Sequence, residues 1–237
     1  MLMIDSHCHL DSFKNLEVLI GKWKKSKVLE AIITCGYSKE SSMTCLGIAK
    51  KHEHFVFPVV GISPQIAMKM KDENFDIKIG NAVGIGEIGL DYHWAKTNEE
   101  RNRQIKCFIH FLKIAEEIDL PVFIHSRKSV KEVLDILSNY NLKVIMHCFS
   151  GTFEEGKIAI ERNYLISYPP VESKNRRKIA EHWGLENFVV ESDAPYIGKE
   201  PTDVIKSVEI LSKYSKEKIE KVDFLTSSNI KRILKIG

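Results

Sequence analysis

The sequence predicts an α/β protein built as a TIM-type (β/α)8 barrel, and three observations lead there. Short apolar runs of strand length alternate with longer segments of helical period from one end of the chain to the other. The short runs are nearly continuously apolar, as strands buried on both faces of a parallel sheet must be. Eight such units in 237 residues match the size of a closed barrel. A doubly wound open sheet is the alternative architecture. No Gly/Ser-rich linker, low-complexity tract or internal repeat divides the chain, so residues 1–237 are expected to form one domain.

The first strand is expected over Leu2–Ser6 and its helix over Leu16–Lys25; the second over Glu30–Thr34 with a helix over Ser41–Lys51. Val56–Gly61 and Ala82–Gly86 supply the third and fourth strands. EERNRQIKCFIHFLKIAEEI follows, where Ile105, Phe108, Ile109, Leu112 and Ala115 recur at spacings of three and four, the stripe of an amphipathic helix. Val122–Ile124, Lys143–Met146 and Tyr164–Ser167 are the next strands, followed in turn by helices over Val130–Asn139, Phe153–Arg162 and Lys174–Trp183. The eighth strand, Phe188–Val190, leads to helices over Val204–Tyr214 and about Lys216–Ile236.

Composition excludes several classes. Hydrophobic residues at 43% and charged residues at 28% fit neither a disordered chain nor a coiled coil. The 35 basic and 32 acidic residues leave a net charge of +3, too small to signal a nucleic-acid partner by itself and no obstacle to one. No apolar run reaches the roughly 18–20 residues of a membrane span, and the N-terminus lacks the pattern of a secretory signal, so a cytoplasmic protein without membrane association is expected. The five cysteines contain no CxxC pair and are expected to be reduced thiols, mostly in the core.

The polar residues that interrupt the strands carry the chemistry. Barrel active sites lie where strands end and βα loops begin. His7 and His9 end the first strand in IDSHCHL, and a period of two turns both imidazoles to one face and Cys8 to the other. Glu87 ends the fourth strand in GIGEIGLDY, His125 the fifth in PVFIHSR, His147 the sixth in VIMHCFSG and Asp193 the eighth in VVESDAPY. Four imidazoles and two carboxylates exceed the needs of one four-coordinate ion and suit two divalent ions, with zinc, manganese and magnesium all compatible. Two such ions supply a hydroxide nucleophile near neutral pH, and Asp193 and Glu87 are the candidate catalytic carboxylates. Gly84, Gly86 and Gly89 also spell GxGxxG, but no helix starts immediately behind the third glycine, so dinucleotide binding is rejected and the glycines are read as letting the backbone bend beside Glu87. His52, His54, His110 and His182 fall in or beside helices and are read as packing or surface residues, while Tyr92 and His93 stand within reach of the mouth.

In order and spacing, IDSHCHLD, GEIGLDYHW, PVFIHSR, MHCFSG and ESDAPY resemble the signatures of the TatD-related metal-dependent hydrolases of the wider amidohydrolase group, over Ile4 to about Asn229. The resemblance implies a distorted barrel with two divalent ions, His7, His9 and Asp193 holding one, His125 and His147 the other, and Glu87 bridging. It also implies hydrolysis of DNA phosphodiesters, often from a 3′ end. Two stretches depart from the family pattern: GISPQ puts Ser63 where GIHPH is usual, and IGKEPTD replaces a longer basic loop after ESDAPY. Arg127 and Lys199 are the candidates for holding phosphate oxygens. The run KNRRK at Lys174–Lys178 could track a nucleic-acid backbone or simply begin a solvated helix, and Trp94 and Tyr196 could stack on a base or pack on neighbouring loops. A nuclease acting on DNA or another phosphodiester is therefore the first expectation. A hydrolase of esters, amides or aminoacyl-tRNA on the same fold is the second, and a barrel that binds metal or a partner without turnover is the third. No obligate protein partner is evident.

Overall fold

The computed structural model describes residues 2–236. Eight strands form one sheet in chain order, each neighbouring pair parallel. They are β1 (Met3–Cys8), β2 (Leu29–Cys35), β3 (Val56–Val60), β4 (Gly84–Asp91), β5 (Val122–Arg127), β6 (Val144–Met146), β7 (Leu165–Tyr168) and β8 (Phe188–Val190). The helices between them are α1 (Leu16–Ser26), α2 (Lys39–Lys51), the single turn α3 (Pro64–Ala67), α4 (Asn98–Glu117), α5 (Val130–Leu137), α6 (Phe153–Glu161) and α7 (Lys174–His182). Helices α8 (Val204–Ser215) and α9 (Ile219–Leu234) end the chain.

The expected elements are present with two instructive changes. β4 continues past Gly86 to Asp91, so Glu87 stands inside the strand rather than at its end. The last helix begins at Ile219 instead of Lys216, because Lys216 adopts a left-handed conformation (φ 60°) that ends α8.

Period two sorts the strand residues into two layers. Ile32, Ile85, Ile124, Met146, Ile166 and Val190 point outward to the helices. Ile4, Ala31, Ile33, Val59, Phe123, Ile145, Leu165 and Val189 fill the barrel interior, where Ile230, Ile233 and Leu234 of α9 close its floor. Asn229 fixes α9 there by donating to the carbonyls of Leu185 (2.9 Å) and Phe188 (2.8 Å). Each fully buried Ile or Phe in such a layer contributes roughly 1.5–3 kcal/mol.

Two irregularities break the alternation where polar residues begin. The β1–β2 register shifts between Asp5 and Cys8, and the β4–β5 register shifts between Ile85 and Ile88. Irregularities of this kind re-aim side chains: His7 joins Ile4 on the inside, and Glu87 faces inward although Ile85 and Ile88 both face out. Gly89 (φ 139°) belongs to the same device, since a Cβ there would overlap the carbonyl oxygen of His125 and hold β4 away from β5.

β8 and β1 share no regular ladder among the described residues. They are joined past the end of β8, where Asp193 N–H donates to the His7 carbonyl (2.9 Å) and His9 N–H to the Ala194 carbonyl (2.8 Å). Asp5 completes the seam by accepting from Ser192 N (2.7 Å), Ser192 Oγ (2.5 Å) and His7 N (3.3 Å).

Candidate metal centre

Above the apolar floor the barrel interior turns polar in two steps. Ser6, Ser167 and Glu191 form a first buried layer, with Ser167 Oγ donating to Glu191 Oε2 (2.6 Å) and lying 3.4 Å from Ser6 Oγ. The six expected ligand residues stand over it at the C-terminal mouth. His7, His9, Glu87, His147 and Asp193 are buried and His125 is half-buried.

Their atoms converge. The Nε2 atoms of His7 and His9 are 3.2 Å apart, and both lie 3.6–3.9 Å from Glu87 Oε2 and Asp193 Oδ1. His125 Nδ1 faces Glu87 Oε1 at 2.7 Å, and His147 Nε2 lies 4.0 Å from Asp193 Oδ2. Three overlapping sets result, His7–His9–Glu87, His7–His147–Asp193 and Glu87–His125–His147, with the ligand atoms of each within 4.8 Å of one another.

The outer nitrogens are held so that the inner ones point into the cluster. His9 Nδ1 donates to the Cys35 carbonyl (2.9 Å), His125 Nε2 to Asp91 Oδ2 (3.0 Å) and His147 Nδ1 to Glu191 Oε2 (3.0 Å). Such outer partners fix the tautomer and aim of a metal-binding imidazole. Asp91 is fixed in turn by Gln65 Nε2 (2.8 Å), and its backbone N–H by Gln104 Oε1 (3.0 Å). Asp193 itself sits in a left-handed turn (φ 47°), a conformation aspartate tolerates better than most residues.

Charge within the cluster follows from these contacts. Burial works against a charge on His147, but Glu191 and Asp193 outweigh it and push the ring up to about 10. Burial likewise opposes His125, yet Asp91 and Glu87 raise it to about 9. His9 is raised against its burial by Asp193 and Glu87. His7 goes the other way, held neutral by burial and by its cationic neighbours His147 and His9. Glu87 lies well below the usual carboxylate range, since His125 and the other imidazoles overcome its burial.

A divalent ion fits this donor set. Two ligands at roughly 2.0–2.1 Å from one tetrahedral ion sit about 3.3 Å apart, and the His7–His9 separation is 3.2 Å. His9 already donates from Nδ1, so Nε2 is the nitrogen it offers a metal once its proton is lost. His7 Nδ1 is buried with no partner, and the His7 ring stacks on that of His147 at 3.6 Å. Cations at the convergence of these nitrogens would replace the protons that the surrounding carboxylates draw onto the imidazoles.

The mouth opens as a cavity of about 530 Å3 whose lining includes Tyr37, Ser63, Gln65, Trp94, Arg127 and Tyr196. Arg127 is exposed on the wall, whereas Lys199 is exposed outside the lining, its backbone N–H tied to Asp203 Oδ2 (2.7 Å). KNRRK forms the first turns of α7. Its central Arg176 is buried and donates to the carbonyls of Phe149 (2.8 Å) and Val171 (2.6 Å), so this arginine fastens loops instead of facing solvent. Tyr92 lies under the Arg101 guanidinium (4.6 Å) outside the lining, and His93 packs edge-on against Trp94 (4.8 Å). The glycines of GxGxxG serve close strand approach, not a phosphate turn. Asp5, Asp91 and Glu191 were not singled out by sequence, though each is a carboxylate in or directly after a buried strand, in IDSH, GLDY and ESD.

A parallel barrel with this histidine and carboxylate cluster at its C-terminal mouth is the architecture of a metal-dependent hydrolase. The family described as TatD related DNase matches residues 4–235, and the chain belongs to it. The chain is 28% identical to the uncharacterized metal-dependent hydrolase YabD of Bacillus subtilis over the full length of both. It is 26% identical to the human deoxyribonuclease TATDN3, over 96% of this chain and 92% of that one. The crystal structure of YJJV, a TatD homolog from Escherichia coli, shares the fold with a TM-score of 0.87 at 20% identity, covering 99% and 98% of the two chains. No helix among the described residues is long and apolar enough to cross a membrane.

Proposed function

We propose that the whole chain acts as one domain that hydrolyses phosphodiester bonds of DNA, using two divalent ions held by His7, His9, Glu87, His125, His147 and Asp193. The observation that carries this is the sharing of ligands: Glu87, His7 and His147 each belong to two of the three overlapping sets, so six side chains suffice for two ions. The human relative's name as a deoxyribonuclease supports the choice of substrate.

Magnesium, manganese or zinc bound there would supply a hydroxide nucleophile near neutral pH and neutralise charge on the transferring phosphoryl group. Asp193, whose two oxygens face His9 and His147, accepts the proton of the attacking water and returns it to the leaving oxygen. Glu87 ties the two halves of the site, its Oε2 toward His7 and His9 and its Oε1 toward His125. Arg127, on the cavity wall, holds a non-bridging oxygen. Lys199, outside that wall, contacts phosphate only where a strand extends beyond the cavity.

A second reading, hydrolysis of an ester, amide or aminoacyl-tRNA bond, draws on Ser63 and Gln65, which give the lining two neutral polar groups where the family pattern has histidines. A hydrolysis panel under each metal separates the two, with end-labelled single-stranded DNA, RNA, aminoacyl-tRNA and simple phosphodiesters as substrates. Cleavage of DNA from one end, abolished by Asp193→Asn, is expected. Cleavage of ester or amide substrates alone would overturn the nuclease assignment.

A further inference from the structure

The rim of the mouth is unevenly charged. On the side formed by the end of β5 and the loops after β4 and β5 stand Lys96, Arg127 and Lys128, all exposed, with Arg127 and the neighbouring Trp94 in the cavity lining. The ion pairs of that neighbourhood are Arg103–Glu99 and Lys131–Asp135, and none among the described residues engages Lys96, Arg127 or Lys128. Of the two carboxylates that follow Lys96 in the chain, Glu99 is paired with Arg103 and Glu100 is committed to the backbone N–H groups of Lys96 (2.8 Å) and Thr97 (2.9 Å) at the start of α4. His93 senses the cluster: burial and then Arg127, Lys128 and Lys96 hold its imidazole below the usual value. The opposite side, formed by Tyr37, Tyr196 and Ser12, presents hydroxyls and rings, with Ser12 Oγ 3.3 Å from Tyr196 Oη.

We propose that Lys96 and Lys128, with Trp94 as a stacking platform, form a subsite for the phosphates of a single nucleic-acid strand that flank the scissile bond, so that the strand crosses the mouth over the β4–β5 rim. This rests on the phosphodiesterase reading and extends it to the path of the strand across the mouth. A cavity of about 530 Å3 is the size of pockets that hold one small-molecule ligand. It takes one nucleotide unit and leaves the rest of the strand on the rim. Charges left without partners there lose counterions, not ion pairs, when phosphate arrives.

The test measures binding apart from turnover. Metal-loaded protein is titrated with a fluorescent ten-nucleotide phosphorothioate strand, which resists hydrolysis, and anisotropy is read from 50 to 200 mM NaCl. Lys96→Gln combined with Lys128→Gln is expected to weaken binding about tenfold at the lowest salt and to lower the slope of log Kd against log salt by about 1.4, two phosphates at about 0.7 each. Trp94→Ala is expected to weaken binding about tenfold with the slope unchanged, the mark of stacking without charge. Equal affinity and equal slope in the double lysine variant would overturn the subsite. If the slope changes as expected while the unmodified strand is left intact under every metal, the subsite stands and the phosphodiesterase reading falls.

Discussion

Glu87 and His125 stand on strands paired in register from Gly89–His125 to Asp91–Arg127, whereas His7, His9 and Asp193 flank a seam where β8 and β1 share no ladder among the described residues. Both sides deliver ligands to one centre by different means. The ladder side fixes its ligands through backbone pairing and a glycine that lets the strands touch. The seam side relies on one buried side chain, Asp5, and two backbone hydrogen bonds with the segment after β8. A site split in this way is rigid on one flank and dependent on a clasp on the other. Glu87 is the carboxylate that reaches across.

That makes Glu87→Ala the variant with the largest expected effect. Both halves lose a shared ligand, so hydrolysis should fall at least about 10³-fold, with bound metal falling below two ions per chain by elemental analysis. Circular dichroism should stay that of the barrel, because Glu87 belongs to no part of the apolar floor. Retention of full metal content would remove Glu87 from its bridging position.

Asp5→Ala tests the clasp. The change leaves two backbone N–H groups and a serine hydroxyl without their acceptor, at a cost of about 2–4 kcal/mol, readable in a urea titration. The expected signature is unequal loss: the ion nearest His7 and His9 is lost while the one nearest His125 stays, taking the metal content from two toward one. Equal loss of both ions would mean that the seam and the ladder are not independent supports.

The apolar alternation and the helical stripes made the barrel legible, and the six candidate ligands stand out because each is a polar residue within or just past an apolar run of strand length. The means that aim them were not legible. Strict alternation from Ile4 would send His7 outward, and only the shift in register after Asp5 turns it in, a property of the pairing with β2 that β1 alone does not carry. The same holds for Glu87, which alternation from Ile85 permits at no interior position. Asp91 and Glu191 escaped notice because a second carboxylate near a ligand reads as a spare ligand until the geometry assigns it to a histidine's far nitrogen. Arg176 shows the converse, a residue in a conspicuous basic run whose guanidinium the fold spends on two carbonyls.

Protons compete with metal on both sides, and the sign follows from the raised imidazoles. His125 and His147, pushed up to about 9 and about 10, hold protons at pH 7 that each must lose before it ligates. Metal affinity is therefore expected to rise with pH by about two logarithmic units per pH unit between 7 and 9, with about two protons released per loading at pH 7. Calorimetry in buffers of different ionisation enthalpy counts them. The metal-free protein behaves oppositely. Folded imidazoles raised above the unfolded value of about 6.5 contribute stability that is complete below that pH and fades as pH climbs toward 9 to 10. Its Tm should accordingly fall over that range, while the Tm of the metal-loaded protein should not.

The smallest expected effects lie one contact further out and compare the two flanks directly. Asp91→Asn keeps the shape that Gln65 and Gln104 hold on the ladder side but weakens the pull on His125 Nε2. Glu191→Gln does the same to His147 Nδ1, where the carboxylate also gathers Ser167 and the Cys148 N–H. Loss of such an outer partner costs on the order of 10–100-fold in metal affinity. His147 belongs to two of the overlapping ligand sets and His125 to one. Glu191→Gln should therefore weaken both ions and Asp91→Asn only the one beside His125, a difference visible as two shifted binding steps against one. Identical binding curves for the two variants would show that His147 serves a single ion and that the centre is two separate sites side by side.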